Sequence, residues 1–144
     1  MLEECFPVLW SGQVAVVRMP EEVDATIADA MREALLSVLN QGASALVVDM
    51  TRTTFCDSAG VSAMVRARRR ALASNAEVRI ATRAPALLRV FSVLGLDSAI
   101  AVYPDVEAAL CSLGGGASPA GTGSAGLVAR RLPARRYPPP GPGA

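Results

Sequence analysis

The sequence predicts an α/β domain: a mixed β-sheet that begins with a hairpin and continues with parallel strands, with about four helices packed on it. Short runs rich in β-branched residues alternate with longer segments whose apolar residues recur at helical spacing. The first two runs are separated only by Ser11-Gly12-Gln13, which suits a hairpin loop because glycine accepts positive φ. With 144 residues and 51% hydrophobic content, the chain has enough apolar side chains for one core.

The elements follow in order along residues 6–113. Strands at 6–10 and 14–17 form the hairpin, and a helix of about residues 25–41 comes next, with Gly42 as its stop. The remaining elements are a buried strand at 45–50, a helix from Ser58, a strand at 77–81, a helix from Pro85 to Gly95, a strand at 99–103 and a last helix at 105–113. Apolar spacing predicts that the two middle helices bury Val61, Met64, Val65 and Leu72, and Leu87, Leu88, Phe91 and Leu94.

Composition excludes several kinds of chemistry. The chain has no histidine, which excludes Ser-His-Asp and Cys-His catalysis and histidine metal sites. Cys5, Cys56 and Cys111 are far apart and lack CxxC spacing, which argues against a disulfide framework and a zinc site. We therefore expect no cofactor, no metal and a reducing, cytoplasmic location. The acidic start and the lack of an apolar run near 20 residues predict neither a signal peptide nor membrane insertion.

Charge and composition divide the chain near residue 113. Residues 1–113, the predicted domain, carry ten arginines and thirteen carboxylates, a balance that disfavours nucleic-acid binding. Residues 114–144 hold eight glycines, six prolines and four arginines, with too little apolar surface to fold, and are predicted to be a disordered tail. The tail run 121–126 fits the dinucleotide pattern G-x-G-x-x-G by letter, but no strand precedes it, so nucleotide binding is not expected there.

Ser58 lies where the segment after a buried strand enters an amphipathic helix. The first turn of a helix has backbone N–H groups without partners and the positive end of the helix dipole. Two interpretations are open. Either the Ser58 hydroxyl caps the helix and Gly60 belongs to a tight turn, or the position receives a phosphate, which the dipole favours by roughly 0.3–1 kcal/mol per charge.

The run Leu46-Val47-Val48-Asp49-Met50, followed by Phe55-Cys56-Asp57-Ser58-Ala59-Gly60, resembles the signature of the STAS domain, the fold of bacterial anti-sigma factor antagonists. That signature is a hydrophobic strand ending in Asp, then an apolar pair, Asp-Ser-small-Gly and a helix. The resemblance covers most of residues 8–113 in element order. It implies that an anti-sigma factor serine kinase phosphorylates Ser58 and that a PP2C-type phosphatase reverses this. Asp57, Ala59 and Gly60 then belong to the switch surface around Ser58.

Two further carboxylates are predicted at this switch surface. The link Glu22-Val23-Asp24 resembles the family's Gly-Glu-apolar-Asp link, whose Asp lies close to the phosphorylated Ser, although Glu21 replaces the glycine. Asp24 has the alternative interpretation of a simple N-cap. Asp49 ends the buried strand, where open α/β sheets place functional groups, and its alternative is a turn or solvated carboxylate.

Three other features have simple structural interpretations. Trp10, beside the hairpin turn, is expected to serve packing or a partner contact. Cys56 stands where the family generally has an apolar residue, and we expect it to behave as a small hydrophobe rather than a redox group. The arginines at 66 and 68–70 are expected to form a solvated helix face, with docking of an acidic partner as the alternative.

Three classes of function compete. The first is an anti-sigma factor antagonist, a binding module that engages an anti-sigma factor kinase when Ser58 is unphosphorylated and so releases a sigma factor. The second is a non-catalytic STAS scaffold or accessory subunit of a stress-sensing or lipid-transport complex. The third is an enzyme with Ser58 or Cys56 as nucleophile, which is disfavoured because Cys56 occupies the first glycine position of a G-x-S-x-G elbow and no histidine base exists. We therefore predict a switched binding protein and not an enzyme.

Overall fold

The computed structural model describes residues 6–115, with side chains described as far as Cys111. The strands are β1 (Val8–Ser11), β2 (Val14–Arg18), β3 (Glu22–Val23), β4 (Ala45–Asp49), β5 (Phe55–Cys56), β6 (Glu77–Ala81) and β7 (Ala101–Tyr103). The helices are α1 (Ala25–Asn40), α2 (Ser58–Ala73), α3 (Pro85–Leu94), α4 (Leu96–Ala99) and α5 (Val106–Gly115). Cys5, the tail from residue 116 and its glycine-rich run at 121–126 lie outside the described residues.

Five strands form the main sheet, in the order β1-β2-β4-β6-β7. β1 and β2 are antiparallel, and every other neighbouring pair is parallel. Gly12 has φ of 66° in the loop between β1 and β2, the left-handed conformation that glycine adopts without steric cost. The sheet therefore confirms the predicted architecture of an initial hairpin followed by parallel strands.

Strand β4 is the centre of the sheet, and all five of its residues are buried. Side chains alternate along a strand, so its residues face two separate cores. Leu46 and Val48 belong to the larger core, whereas Val47 belongs to the smaller one. Burial of each of these side chains contributes roughly 1.5–3 kcal/mol to folding. A continuous apolar run in the sequence thus became a strand covered on both faces.

Helices pack on both faces of the sheet. The larger core contains buried residues of α1, α2 and α3, among them Met31, Met64 and Phe91. The smaller core contains Val106 and Leu110 of α5, together with the opposite face of the central strands. The candidate site lies at the starts of α1 and α2. Both helices pack on the sheet face that carries the larger core.

The structure corrects several details of the sequence-based prediction. Five helices are present in residues 6–115 rather than about four, because the short α4 follows Gly95, which ends α3 with φ of 78°. Leu72 and Leu94, expected to be buried, are 57% and 49% exposed, and each lies in the last turn of its helix. Leu88 is also exposed, and the buried residues of α3 are Leu87 and Phe91. Helix α5 runs two residues past the predicted boundary at 113.

Candidate functional site

A two-stranded parallel ladder brings two distant segments of the chain together. Glu22 pairs with Phe55 and Val23 pairs with Cys56 across β3 and β5. One more hydrogen bond extends the ladder beyond Cys56: the Asp57 amide donates to the Val23 carbonyl oxygen at 3.1 Å. Each strand is followed by an aspartate and then a helix. The starts of α1 and α2 are therefore neighbours, and Ser58 lies at one of them.

Asp57 caps helix α2. Its Oδ1 accepts hydrogen bonds from the Ala59 and Gly60 amides at 2.9 and 3.2 Å. The interpretation that the Ser58 hydroxyl caps the helix is therefore wrong, since Ser58 is the first residue inside the helix and its side chain is exposed. A capping aspartate contributes about 0.5–2 kcal/mol. The Ser58 hydroxyl is therefore not needed to cap the helix.

Asp24 caps helix α1 in the same way. Its Oδ1 accepts hydrogen bonds from the Thr26 hydroxyl and, at 3.0 Å, from the Thr26 amide. These bonds favour the carboxylate, and the Thr26 hydroxyl contributes most to lowering the pKa of Asp24. The stabilisation that follows is present above the unfolded-state pKa and is lost as pH falls through the lower folded-state pKa. The N-cap interpretation of Asp24 is confirmed, and a role in switching stays a prediction.

Gly60 lies where helix α2 touches the β3–β5 ladder. A Cβ atom at this position would be 2.6 Å from Val23 Cγ1 and 2.7 Å from Cys56 Sγ, well inside van der Waals contact. Both neighbours are themselves buried. The glycine therefore permits a close approach between the helix and the ladder. It is a helical residue, so its interpretation as part of a tight turn is wrong.

Cys56 forms part of the core under the site. Its side chain is 3% exposed, and its Sγ lies 3.6 Å from the Asp57 carbonyl oxygen. Burial, with a smaller contribution from the Asp57 charge, raises the pKa of Cys56 to about 12. The thiolate is the reactive form of cysteine, so this thiol is held in its inert state. Its burial agrees with the prediction of a small hydrophobe.

The raised pKa of Cys56 predicts a pH dependence of stability. The unfolded thiol ionises near 9.0 and the folded one near 12, so the folded protein holds more protons between these values. Stability should therefore fall as pH rises through this window. We expect the free energy of unfolding, measured with urea, to fall more steeply above about pH 9 for the wild type than for Cys56→Ala, which lacks this ionisable group. Equal slopes for the two proteins would contradict the burial of a neutral thiol.

Asp49 lies apart from the paired helix starts. It shares the sheet face of Val47, which α5 covers, because side chains alternate along β4. The side chain is 3% exposed, and its Oδ1 accepts hydrogen bonds from the Thr51 amide at 3.0 Å and hydroxyl at 2.6 Å. Its Oδ2 is 3.7 Å from Arg18 Nε. The turn interpretation fits this geometry, and the structure does not bring Asp49 to the side of the sheet that carries Ser58.

The sequence patterns missed the ladder itself. A strand of two residues has no periodicity, so neither β3 nor β5 could be recognised from spacing. The available signal was indirect: each strand ends one residue before a capping aspartate that starts a helix. Without the ladder, the proximity of Asp24 to the Ser58 segment rested on resemblance alone.

These observations define a class of protein: an α/β domain that presents an exposed serine at a helix start. Within residues 6–115 no group of three histidine, cysteine or acidic side chains could hold a metal ion. No helix in that part of the chain has the length and apolar character required to cross a bilayer. The chain belongs to the STAS domain family, whose family model matches residues 8–109. This match confirms the resemblance noted in the sequence.

Solved structures with the same fold include anti-sigma factor antagonists. An anti-sigma factor antagonist from Mycobacterium paratuberculosis is 27% identical, with a TM-score of 0.67, and the match covers 73% of this chain and 89% of that one. The anti-sigma factor antagonist SpoIIAA in its unphosphorylated form is 23% identical, with a TM-score of 0.63 and coverage of 72% and 92%. The phosphorylated form of SpoIIAA, a Bacillus cell fate determinant, is 23% identical, with a TM-score of 0.57 and coverage of 72% and 96%. No curated protein matches this chain in a sequence search.

Proposed function

We propose that this protein is an anti-sigma factor antagonist controlled by phosphorylation of Ser58. The unphosphorylated form binds an anti-sigma factor serine kinase, and this binding releases a sigma factor. The kinase then transfers phosphate to Ser58, and a PP2C-type phosphatase removes it. The observation that carries the proposal is the position of Ser58, exposed at the first residue of α2 while Asp57 supplies the cap. No described side-chain contact would be broken by modifying its hydroxyl.

The local charges explain how phosphate would prevent binding. Phosphoserine carries about −1.5 to −2 charges at neutral pH. The first-turn amides of Ala59 and Gly60 already donate to the Asp57 carboxylate, so these amides are not available to neutralise a phosphate on Ser58 without loss of the cap. The added charge therefore remains at the surface, beside Asp57. There it repels an acidic partner surface and blocks close contact without any change in the fold.

The comparisons support a switch of this kind. SpoIIAA is known in an unphosphorylated and a phosphorylated form, and both share the fold of this chain. The Mycobacterium protein, at 27% identity, is also an anti-sigma factor antagonist. On this proposal the protein acts by binding, is not an enzyme, works in the cytoplasm and engages neither nucleic acid nor membrane.

Mass spectrometry tests the proposed modification site. We expect incubation with the cognate anti-sigma factor kinase and ATP to add a single phosphate, located on Ser58 by peptide fragmentation. The Ser58→Ala variant should accept none, because within residues 6–115 Ser58 is the only hydroxyl residue at the first position of a helix. Phosphate found instead on Ser62 or Thr54, both exposed neighbours, would overturn the assignment.

A further inference from the structure

A groove of about 340 Å³ runs between helices α1 and α2, beside the start of α2 that carries Ser58. Its walls come from one face of each helix, where the lining residues recur at i, i+3, i+4 and i+7 from Ala25 in α1 and from Ala59 in α2. Small side chains keep it open: Ala28 and Ala63 are buried between the helices, and Ala59, the residue after Ser58, also lines the groove. The groove is therefore continuous with the surface at which the proposed phosphorylation takes place.

The charges of the groove are predominantly positive. Arg32 and Arg66 line it, and among the residues that the structure describes Asp29 is the only carboxylate that does. Asp29 lies 3.1 Å from Arg32 Nη1, so these two side chains neutralise each other. Within residues 6–111, Arg66 has neither a hydrogen bond nor an ion pair, although other arginines of this region, such as Arg70, have partners.

We propose that this groove receives a glutamate side chain of the anti-sigma factor kinase, whose carboxylate pairs with Arg66. This inference rests on the proposed function, because it names the contact that the switch would control. A glutamate fits both properties of the site. Its methylene groups can pack on the methyl groups of Ala28 and Ala63, and its carboxylate can meet the unpaired guanidinium. For Arg66 this is the alternative to a solvated helix face, docking of an acidic partner, that the sequence left open.

The groove also connects phosphorylation to release of the partner. A phosphate on Ser58 would lie one residue before Ala59 at the groove wall. Its negative charge would repel an incoming glutamate. Like charges brought together at an interface disfavour association strongly, whereas unmodified Ser58 leaves the groove attractive to a carboxylate.

Charge reversal tests the contact. The probe is the purified kinase that phosphorylates Ser58, and the measurement is its Kd by isothermal titration calorimetry. We expect Arg66→Glu to weaken binding about tenfold or more, because an attraction becomes a repulsion. Arg69→Glu is the matched control: it makes the same charge change at an exposed site of the same helix outside the groove, and we expect less than about a threefold effect. Circular dichroism melting of each variant shows whether it is folded.

A second pair of variants tests occupancy of the groove. Ser62 lines the groove and is exposed, so Ser62→Leu narrows the groove without disturbing the core, whereas Ser62→Ala only removes the hydroxyl. We expect Ser62→Leu to weaken binding about tenfold, a much larger effect than that of Ser62→Ala, which adds no bulk to the groove. Reversal of exposed kinase glutamates, one at a time to arginine, should identify one that restores binding to Arg66→Glu.

The outcomes separate this inference from the proposed function. If the wild type binds the kinase and is phosphorylated on Ser58, but Arg66→Glu and Arg69→Glu lose affinity equally, the groove contact is wrong and the switch stands. Wild-type affinity of Ser62→Leu, or failure of every glutamate reversal to restore binding, would also overturn it. If no anti-sigma factor kinase binds the wild type or modifies Ser58, both the proposed function and the groove contact are refuted.

Discussion

The Ser58→Asp variant is expected to bind the anti-sigma factor kinase at least about tenfold more weakly than the wild type, whereas Ser58→Ala should keep the wild-type affinity. Aspartate places one negative charge where phosphoserine would place about two, so its effect should be smaller than that of phosphorylation itself. Because the charge is exposed, raising the ionic strength should narrow the difference between the two variants. Titration of the kinase against each variant measures this directly.

Loss of folding stability should not contribute to the difference in affinity between Ser58→Asp and Ser58→Ala. Asp57 is the N-cap of α2, so removal of the Ser58 hydroxyl costs the helix no capping bond. A negative charge in the first turn is favourable to the helix by roughly 0.3–1 kcal/mol. Both variants should therefore be at least as stable as the wild type, and a difference in affinity reports on the surface alone.

The matched control is Ser58→Asn, which has nearly the shape of aspartate and no charge. It should bind much more tightly than Ser58→Asp if charge causes the release. Equal weakening by asparagine and aspartate would show that bulk at the helix start, rather than charge, excludes the kinase. Full binding of Ser58→Asp together with full binding of the phosphorylated protein would refute the switch.

Replacement of Gly60 by alanine is expected to lower the free energy of unfolding by about 1–3 kcal/mol. At an unhindered helical position the same change would stabilise the protein by about 0.8–1 kcal/mol, because alanine is the better helix former. The close approach of the new Cβ to Val23 and Cys56 reverses that sign. Val23 is stiff because it branches at Cβ, so it cannot easily rotate away.

Urea unfolding of five proteins measures the effect: the wild type, Gly60→Ala, Ser62→Ala, Val23→Ala and the double variant Val23→Ala/Gly60→Ala. Ser62→Ala, an exposed change in the same helix, should stay within about 0.5 kcal/mol of the wild type. In a Val23→Ala background the cost of Gly60→Ala should shrink, since the contact at 2.6 Å is gone. A Gly60→Ala protein more stable than the wild type would show that the helix and the ladder can separate without cost.

Local patterns were sufficient for most of the architecture. The apolar run at residues 45–50 predicted the central strand, Gly12 predicted the hairpin loop, and Gly95 predicted the end of α3. Each of these signals depends on neighbouring residues, whose spacing and backbone preferences are visible in the sequence. Helix ends were less reliable, since Leu72 and Leu94 follow the apolar spacing yet lie exposed in last turns.

The sequence by itself determined that this is an α/β domain and that Ser58 begins a helix, because periodicity and helix-start chemistry are properties of adjacent residues. Only the tertiary structure decided which side chains share a surface with that serine. It assigned the cap to Asp57, placed Asp49 on the other face of the sheet, and put Arg66 in a groove beside α1. These arrangements depend on pairing between segments far apart in the chain, above all Val23 with Cys56, and no local pattern records such a pairing.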